Sequence, residues 1–411
     1  MKRSSATVVS IVKCVKNCAV RKILVLIVIY LAFISLGLPD SILGAAWPAM
    51  YGRLQVPAHF AGVIYMIIAG GTVVSSLWSA PLINRFGVAR VTTISVVLTG
   101  LALLGFSYSG RFLYLCLLAI PLGLGGGCVD AALNNYVALH YKARHMNWLH
   151  CFWGIGAAAG PLIMGYYLAA GDPWNSGYQT IGSIQLSLAL LLLLSIPFWI
   201  DPNRKSSAGG PAKTSVFSKR VWQTPGLKEA LLTFFLYCTI EATFGLWGAS
   251  YLVFERGFDA TRAARLTAFY YGGITAGRFL TGFLTRRFNN RQLVYMGQGF
   301  IALGIILLAL PWRPTLMAGF VVVGLGCAPV FPSLLHETPR NFGETFAPVS
   351  MGLQMAAAYV GITAMPFLFG LFAAEVGYRY LPVFILITLV AMGYAHVQLN
   401  RKVYHRKHAT L

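Results

Sequence analysis

The sequence predicts an all-α integral membrane protein that crosses the bilayer with twelve helices. Three observations lead to this fold class. The chain is 57 % hydrophobic and only 10 % charged, whereas soluble domains carry about 25 % charged residues. The apolar residues fall into twelve long runs, and three of the first six runs recur in order among the last six. Lipid is therefore the expected solvent, and bilayer thickness sets a length of about 20 residues for each helix.

Charged residues or clusters of glycine and proline separate the apolar runs. The runs cover residues 23–50, 59–82, 88–108, 112–139, 147–170, 178–199, 227–252, 263–284, 291–310, 314–334, 345–373 and 379–398. Backbone polar groups in lipid must be satisfied within a helix or a closed barrel. The runs lack the alternation of barrel strands, so each is predicted to be one transmembrane helix.

Lysine and arginine are unevenly divided between the two sides of this arrangement. Of 32 such residues, 24 lie in the tails and the alternate loops on the side of the N-terminus, 7 lie in the opposite loops, and Arg278 lies within a run. Cytoplasmic loops carry such an excess. Both termini are therefore predicted to be cytoplasmic, in a bacterial inner (plasma) membrane. Topology then accounts for the net charge of +21, and no nucleic-acid partner is expected.

The longest hydrophilic stretch, rich in glycine, serine and lysine, is predicted to link two halves of the chain. The expected divisions are a cytoplasmic N-terminal segment (1–22), an N-terminal six-helix half (23–200), a cytoplasmic linker (201–224), a C-terminal six-helix half (225–398) and a cytoplasmic tail (399–411). Residues 7–20 mix aliphatic residues with lysine. They form either an amphipathic helix on the membrane surface or a disordered leader.

An internal repeat supports the division into halves. Residues 70–86 align without a gap on residues 272–288. At nearly the same offset, Asp40 falls on Glu241, and the glycine pattern of the fifth run recurs in the eleventh. The sequence therefore predicts a six-helix unit that is duplicated in parallel. Transporters with such repeats bind substrate between the halves and rock one half against the other.

The loop that follows the second helix of each half carries a family resemblance. Residues 80–90 (APLINRFGVAR) and 282–288 (GFLTRRF) resemble the GxLaDRxGrr loop of the major facilitator superfamily, although Ala80 and Asn84 replace its first glycine and its aspartate. The resemblance implies the major facilitator fold, a monomer and a gating role for these loops. The candidate gating residues are Asn84, Arg85, Gly87, Arg90, Arg286 and Arg287.

Four further stretches are similar to the fucose permease group, which includes bacterial glucose/mannose:proton symporters. They are GLPDSILGAAWP (37–48), GGGCVDAALNNYVAL (125–139), MNWLHCFWGIGAAAGPLIMG (146–165) and FYYGGITAGRFLTGF (269–283). Within that group, working carboxyl groups stand in helices 1 and 4. The resemblance thus implies a role for Asp40 and Asp130, the carboxylates of these helices here.

Three carboxylates lie well inside predicted spans: Asp40, Asp130 and Glu241. A charged side chain at the centre of a membrane helix costs about 2.5 to 3.5 kcal/mol on insertion scales, so each needs a role. Each is either a hydrogen-bonded packing group or a proton-coupling site. Arg278 is the only lysine or arginine deep inside a run, and we expect it to pair with Asp40 or with Glu241.

Carboxylates and carboxamides on one helix face suit a polyhydroxylated ligand, and Asp130 and Asn134 are four residues apart. Trp153 and Tyr359 are further aromatic residues expected near the cavity, where such rings stack on sugars. The predicted substrate-binding residues are Asn134, Asn135, Trp47, Trp247, Tyr271, Gln354 and His150. Each of them is alternatively a packing residue.

The sequence therefore predicts proton-coupled import of a monosaccharide or similar small polar solute, with sodium as a possible replacement for the proton. The alternative is proton-driven efflux of drugs or metabolites, since Gly156, Gly160 and Pro161 resemble the GxxxGP motif of antiporters. An enzyme is not expected, because HExxH, GxSxG and Walker A sequences are missing. The seven cysteines form no CxxC pair, and neither a metal nor a cofactor is predicted.

Overall fold

A computed structural model describes residues 2–141, 143–199, 222–343 and 347–409, which are mostly helical. The helices are α1 (Lys2–Met50), α2 (Ala61–Phe86), α3 (Val88–Tyr108), α4 (Phe112–His140), α5 (Ala143–Ala169), α6 (Trp174–Ser195), α7 (Leu227–Arg256), α8 (Ala260–Leu284), α9 (Asn290–Ala309), α10 (Arg313–Cys327), α11 (Val330–Phe342), α12 (Ala347–Val376) and α13 (Leu381–Ala409). The predicted linker, 201–224, lies almost wholly outside the described residues.

Eleven helical segments in the described part of the chain are long and apolar enough to cross a membrane. One of them, Arg313–Phe342, joins α10 and α11 into a single span. The remaining predicted span is α8, whose 25 residues extend over about 37 Å. This helix carries three arginines, Arg262, Arg265 and Arg278, together with four threonines, which lower its hydropathy. The predicted fold class, all-α with twelve membrane helices, is confirmed.

The helix bounds differ from the prediction at both ends of the chain and within the tenth span. The last helix, α13, continues to Ala409 through most of the predicted tail. The first helix begins at Lys2, so the backbone of the predicted N-terminal segment continues into the first span. The tenth span is broken between Cys327 and Val330, where Pro329 stands at the N-cap of α11. Proline has no backbone N–H and cannot continue the hydrogen-bond ladder of a helix, which explains the break.

The internal repeat is visible in how the second helix of each half meets the fourth. A methyl group on Gly123 of α4 would collide with the carbonyl oxygen of Ile68 in α2. In the second half, a methyl group on Gly324 of α10 would collide with the carbonyl oxygen of Tyr270 in α8. Both glycines thus allow two helix backbones to touch, as small residues do in membrane proteins.

The fifth helix of each half packs on the first in the same repeated way. Gly156 of α5 lies against the backbone of Ile34 in α1, and Gly361 of α12 lies against the backbone of Phe235 in α7. Gly160 likewise approaches the carbonyl oxygen of Leu38. The GxxxGP sequence of α5 therefore serves as a helix-packing element, and that role does not require an antiporter.

Two glycines that are counterparts in the repeat touch each other between the halves. A methyl group on Gly44 of α1 would lie 2.6 Å from the carbonyl oxygen of Gly245 in α7. Equivalent residues can meet in this way only near the axis that relates the two repeats. We call this backbone contact the Gly44–Gly245 contact.

Side chains close the interface at the end of the bundle away from the chain termini. The rings of Tyr51 and Phe254, at the ends of α1 and α7, meet edge to face at 5.4 Å. Gly62 of α2 packs against Phe367 of α12, and Gly165 of α5 packs against the Arg265 side chain of α8. The two halves are therefore in contact at this end.

Candidate functional site

The site is built around a carboxylate in the membrane-spanning part of α1, Val20–Met50. Asp40 lies one helical turn before Gly44 and is exposed, although the helix around it is packed inside the bundle. The indole N–H of Trp153, in α5, donates a hydrogen bond of 2.7 Å to Asp40 Oδ2. Asp40 therefore faces a space between the helices, and a neutral donor holds it.

Trp153 also contacts the second half of the molecule. The guanidinium of Arg278, in α8, lies over its ring at 5.0 Å from the centroid. Arg278 also forms an ion pair with Glu241 of α7, in which Nη2 lies 3.6 Å from Oε1. The order of contacts is therefore Asp40, Trp153, Arg278 and Glu241, which we call the central chain. It places the partner of Arg278, which the sequence left open between two carboxylates, at Glu241.

The central chain is shielded more strongly in the second half than in the first. The side chains of Arg278 and Glu241 are 14 % and 20 % exposed, whereas Asp40 is exposed. Tyr270 donates from its hydroxyl to the backbone carbonyl of Glu241. The ion pair is thus partly buried, and salt or water screens it less than a surface pair.

Aromatic side chains from both halves surround the central chain. Tyr271 of α8 meets the Trp153 ring edge to face at 6.4 Å, and it is 8 % exposed. Tyr65 of α2 lies within electrostatic range of both Asp40 and Glu241. His150 of α5 lies within range of Arg278. Ring faces and phenol hydroxyls therefore border the space beside Asp40.

A second polar group lies on α4, where the sequence predicted it. Asn134 Nδ2 donates to Asp130 Oδ1 at 2.9 Å and also reaches the Asp130 backbone carbonyl at 3.0 Å. Asp130 lies near enough to Asp40 for the two charges to interact, and Tyr359 of α12 lies within range of Asp130. This pair therefore belongs to the same central region as Asp40.

Three predicted substrate-binding residues lie in packed surroundings instead. Trp47 and Trp247 are fully buried, and their indole groups donate to the backbone carbonyls of Ala58 and Pro366. Gln354 is 2 % exposed and accepts a hydrogen bond from Thr338. The structure therefore does not bring these three residues to the space beside Asp40.

The predicted gating residues lie in two loops. Gly87 joins α2 to α3 with a φ of +81°, a conformation that glycine adopts easily. Arg85 and Arg90 are exposed, and so are Arg286 and Arg287 in the loop between α8 and α9. The side chains of Asn84 and Asn135 lie outside the described residues.

Two features of the structure were not predicted from the sequence. Trp153 was expected near the cavity but without a defined role, since its two partners come from distant parts of the chain. Glu337 of α11 is 6 % exposed and lies 3.7 Å from Arg291 and 3.5 Å from Arg340. It also accepts a hydrogen bond from Asn290. An acidic residue close to arginines in the sequence is a signal for such a cluster. The burial of Glu337 was not predicted, because this residue lies just beyond the tenth predicted span, 314–334.

The central region combines three carboxylates with one guanidinium. Buried charges must be paired, hydrogen-bonded or neutralised, so a proton or a polar solute is the natural further occupant. Among the described residues, no group of three His, Cys, Asp or Glu side chains is arranged to hold a metal ion.

Comparison with known proteins gives a family match and several relatives. The Major Facilitator Superfamily matches over residues 29–311 and 230–408. The chain is 24 % identical to the "Bypass of stop codon protein 6" of Saccharomyces cerevisiae, over 85 % of this chain and 77 % of that protein. It is 21 % identical to the glucose/mannose transporter GlcP of Bacillus subtilis, over 74 % and 77 %. It is 24 % identical to the 4-hydroxybenzoate transporter PcaK of Acinetobacter baylyi, over 73 % of each.

Solved structures show the same fold at low identity. A point mutant of the nucleoside transporter NupG superposes with a TM-score of 0.71 at 12 % identity, over 90 % of this chain and 98 % of that one. A bacterial homologue of the human lysosomal transporter Spinster, inward-facing and occupied, superposes with a TM-score of 0.68 at 11 % identity, over 92 % and 96 %. These likenesses concern the fold alone.

Proposed function

Because the chain belongs to the Major Facilitator Superfamily, and is a membrane transporter rather than an enzyme, we propose that it takes up a monosaccharide or a similar small polar solute together with protons. The observation that carries this proposal is Asp40, an exposed carboxylate in mid-helix whose hydrogen-bond donor, Trp153, is neutral. Transport then proceeds by alternating access of the central region to the two sides.

A proton is the coupling ion that fits Asp40 best. A carboxylate within a membrane helix is costly when it is ionised, and a proton removes that charge without removing the hydrogen bond from the indole. A sodium ion would need several oxygen ligands, and the neighbour that Trp153 supplies is an N–H donor. Sodium coupling remains the alternative outcome of the test.

The substrate class rests on the polar groups near Asp40. Asp130 and Asn134 offer acceptors and a donor in fixed positions, and Tyr271 and Trp153 offer ring faces. Hydroxyl-rich solutes use both features. The name of GlcP as a glucose/mannose transporter supports the same class.

An aromatic carboxylate is a second candidate, which a specific observation favours. Arg278 lies over Trp153 and is joined to Glu241 by a contact of 3.6 Å, which is longer than a charge-assisted hydrogen bond of about 2.8 Å. A substrate carboxylate could therefore compete for this guanidinium while its ring packs against the indole. The 4-hydroxybenzoate transporter PcaK is a relative with a substrate of this kind.

The proposal extends to the membrane and to the assembly. The excess of lysine and arginine on the side of both termini supports cytoplasmic termini in a bacterial inner membrane. The site is formed by the two halves of one chain, since Asp40 and Glu241 come from α1 and α7. A monomer therefore suffices for function, with lipid as its surroundings.

Uptake into proteoliposomes tests the proposal. Glucose, mannose and 4-hydroxybenzoate are supplied in turn, with an imposed pH gradient, with a sodium gradient, or with neither. We expect one sugar to accumulate only with the pH gradient. Accumulation of 4-hydroxybenzoate alone would establish the second candidate, and accumulation with sodium would overturn the proton assignment. Proton-driven export of a lipophilic cation, without sugar uptake, would establish the efflux alternative.

A further inference from the structure

Trp153 connects the two halves at the centre of the molecule through two parts of one rigid ring. Its N–H donates to Asp40 of the first half at 2.7 Å, and its face lies 5.0 Å from the guanidinium carbon of Arg278 in the second half. The indole is planar, so a rotation that breaks the hydrogen bond also tilts the face beneath Arg278. A movement of the ring therefore changes both contacts together.

We propose that Trp153 is a positioning residue that couples the proton on Asp40 to the Arg278–Glu241 ion pair of the other half. The inference rests on the proposed function in one respect, namely that Asp40 gains and loses a proton. It adds the route by which the second half responds. The solute is not part of this route.

The coupling follows from the chemistry of the indole group. An indole N–H can only donate, and hydrogen bonds to an ionised acceptor are roughly twice as strong as those between neutral groups. The bond from Trp153 is therefore strong while Asp40 is ionised and weak when Asp40 carries a proton. Protonation therefore frees the ring to move, since only the weaker bond to a neutral carboxyl oxygen remains and Trp153 cannot compensate by accepting the new O–H.

The release of the ring changes the surroundings of Arg278. A cation over a tryptophan face is attracted by the ring, and more strongly where water is partly excluded. Without that face, the guanidinium depends on Glu241, 3.6 Å away. Coupling between two sites is reciprocal, so a movement of Arg278 between transport states also alters the affinity of Asp40 for its proton.

Other titratable groups near Asp40 do not replace this connection. They are Tyr65 of α2, Asp130 of α4 and Tyr271 of α8, with Glu241 of α7 within range of Tyr65 and His150 of α5 within range of Arg278. The phenols carry no charge near neutral pH, and Asp130 repels the charge on Asp40. Trp153 is the side chain that contacts both Asp40 and the cation of the second half.

Tryptophan fluorescence tests the inference without any solute. The chain has nine tryptophans, so the emission of Trp153 is taken as the difference between the wild-type protein and the Trp153→Phe variant. From about pH 5 to about pH 9, the range in which buried carboxyl groups titrate, we expect one step in this difference. The step should be lost when the same pair is compared in an Asp40→Asn background. A flat difference, or an unchanged step in that background, would overturn the inference.

Transport measurements then separate positioning from mere packing. We expect Trp153→Phe to lose about tenfold in gradient-driven accumulation, the order expected for a charge-assisted hydrogen bond. Solute counterflow without a gradient should fall by less than that, because phenylalanine keeps a ring face beside the solute. Trp153→His keeps an N–H donor on a flat ring and should recover part of the loss. Trp312→Phe is the control, because Trp312 is 71 % exposed at the start of α10.

Two transport results would contradict the coupling role. One is wild-type accumulation by Trp153→Phe, and the other is an equal loss of accumulation and counterflow in both the Phe and the His variant, which a structural role predicts. If the wild-type protein accumulates no solute with a pH gradient, the proposed function fails instead. The fluorescence step still tests the inference in that case, since it reports whether Trp153 responds to the proton on Asp40. Reciprocal coupling also requires the midpoint pH of the step to shift in an Arg278→Gln background, and an unchanged midpoint would overturn the link to the second half.

Discussion

The two halves share one helix plan, but they hold their carboxylates in opposite ways. Asp40 and Glu241 are counterparts in the repeat. In the first half, Asp40 accepts a hydrogen bond from the neutral indole of Trp153. In the second half, Glu241 faces the guanidinium of Arg278. The same position in the fold therefore carries a carboxylate with a neutral donor in one copy and an ion pair in the other.

Two further carboxylates, one in each half, differ in the same way. Asp130 of α4 accepts from the amide of Asn134, whereas Glu337 of α11 lies between Arg291 and Arg340. A proton can neutralise the first kind of carboxylate at small cost. Protonation of the second kind would leave a buried cation without its partner, which is strongly destabilising. Under the proposed function, proton exchange therefore belongs to the first half and charge compensation to the second.

The largest effect is expected from Asp40→Asn. A pH gradient of one unit supports roughly tenfold accumulation at one proton per solute, and the variant should accumulate nothing above equilibrium, since its amide cannot carry the proton. Counterflow should continue. Proteoliposome uptake measures both, with Asp172→Asn, in the exposed loop between α5 and α6, as the control. Gradient-driven accumulation by Asp40→Asn would mean that Asp40 does not carry the coupling proton, so the two halves would not differ in this respect.

Glu337→Gln should reduce stability rather than coupling. It leaves Arg291, which is 29 % exposed, without its carboxylate. We expect the free energy of unfolding to fall by about 2 kcal/mol, below the usual range for buried pairs because Arg340 is 63 % exposed. Thermal unfolding in detergent measures the change against Glu375→Gln, an exposed residue near the end of α12. Equal unfolding temperatures would show that the cluster contributes no stability.

The loss of folded protein caused by Arg278→Gln should be partly reversed by adding Glu241→Gln. The single variant leaves Glu241 without its cation, at a cost of about 2 kcal/mol for a partly buried pair, and Arg278→Gln with Glu241→Gln removes both charges. The folded fraction after size-exclusion chromatography should therefore be higher for the double variant than for the single one. Additive losses would mean that the two residues do not act as a pair.

The smallest effect is expected from Asn134→Ala. It removes the amide donor to Asp130, and a net hydrogen-bond contribution of about 1 kcal/mol corresponds to roughly a fivefold rise in the solute concentration for half-maximal uptake. Asn400→Ala is the control, since Asn400 donates to Tyr295 outside the central region. An unchanged concentration dependence would assign the Asn134 amide to helix packing.

Most of the fold could be predicted because lipid makes hydrophobic length a direct signal. The break in the tenth span was missed, although Pro329 lies within it, because single prolines also occur in continuous helices such as α4 and α5. The Asp130–Asn134 pair followed from a spacing of four residues on one helix. Local patterns of this kind are readable from a sequence.

The connection through Trp153 could not be predicted in the same way. Its partners are 113 residues away at Asp40 and in another half at Arg278, and helical periodicity contains no information on contacts between distant helices. Trp47 and Trp247 show the converse. A tryptophan in mid-helix has the same sequence signature whether it faces a cavity or donates to a neighbouring backbone carbonyl, as both of these do.

The Gly44–Gly245 contact has a mechanical consequence. Where two backbones touch without side chains, one half can turn against the other without a change of side-chain rotamer at the contact. Asp40 and Glu241 each lie four residues, one helical turn, before these glycines. Both charged side chains therefore lie close to the point about which the two halves turn in the proposed alternating access. A small rotation at this point separates the rings of Tyr51 and Phe254, at the ends of α1 and α7, by a larger distance.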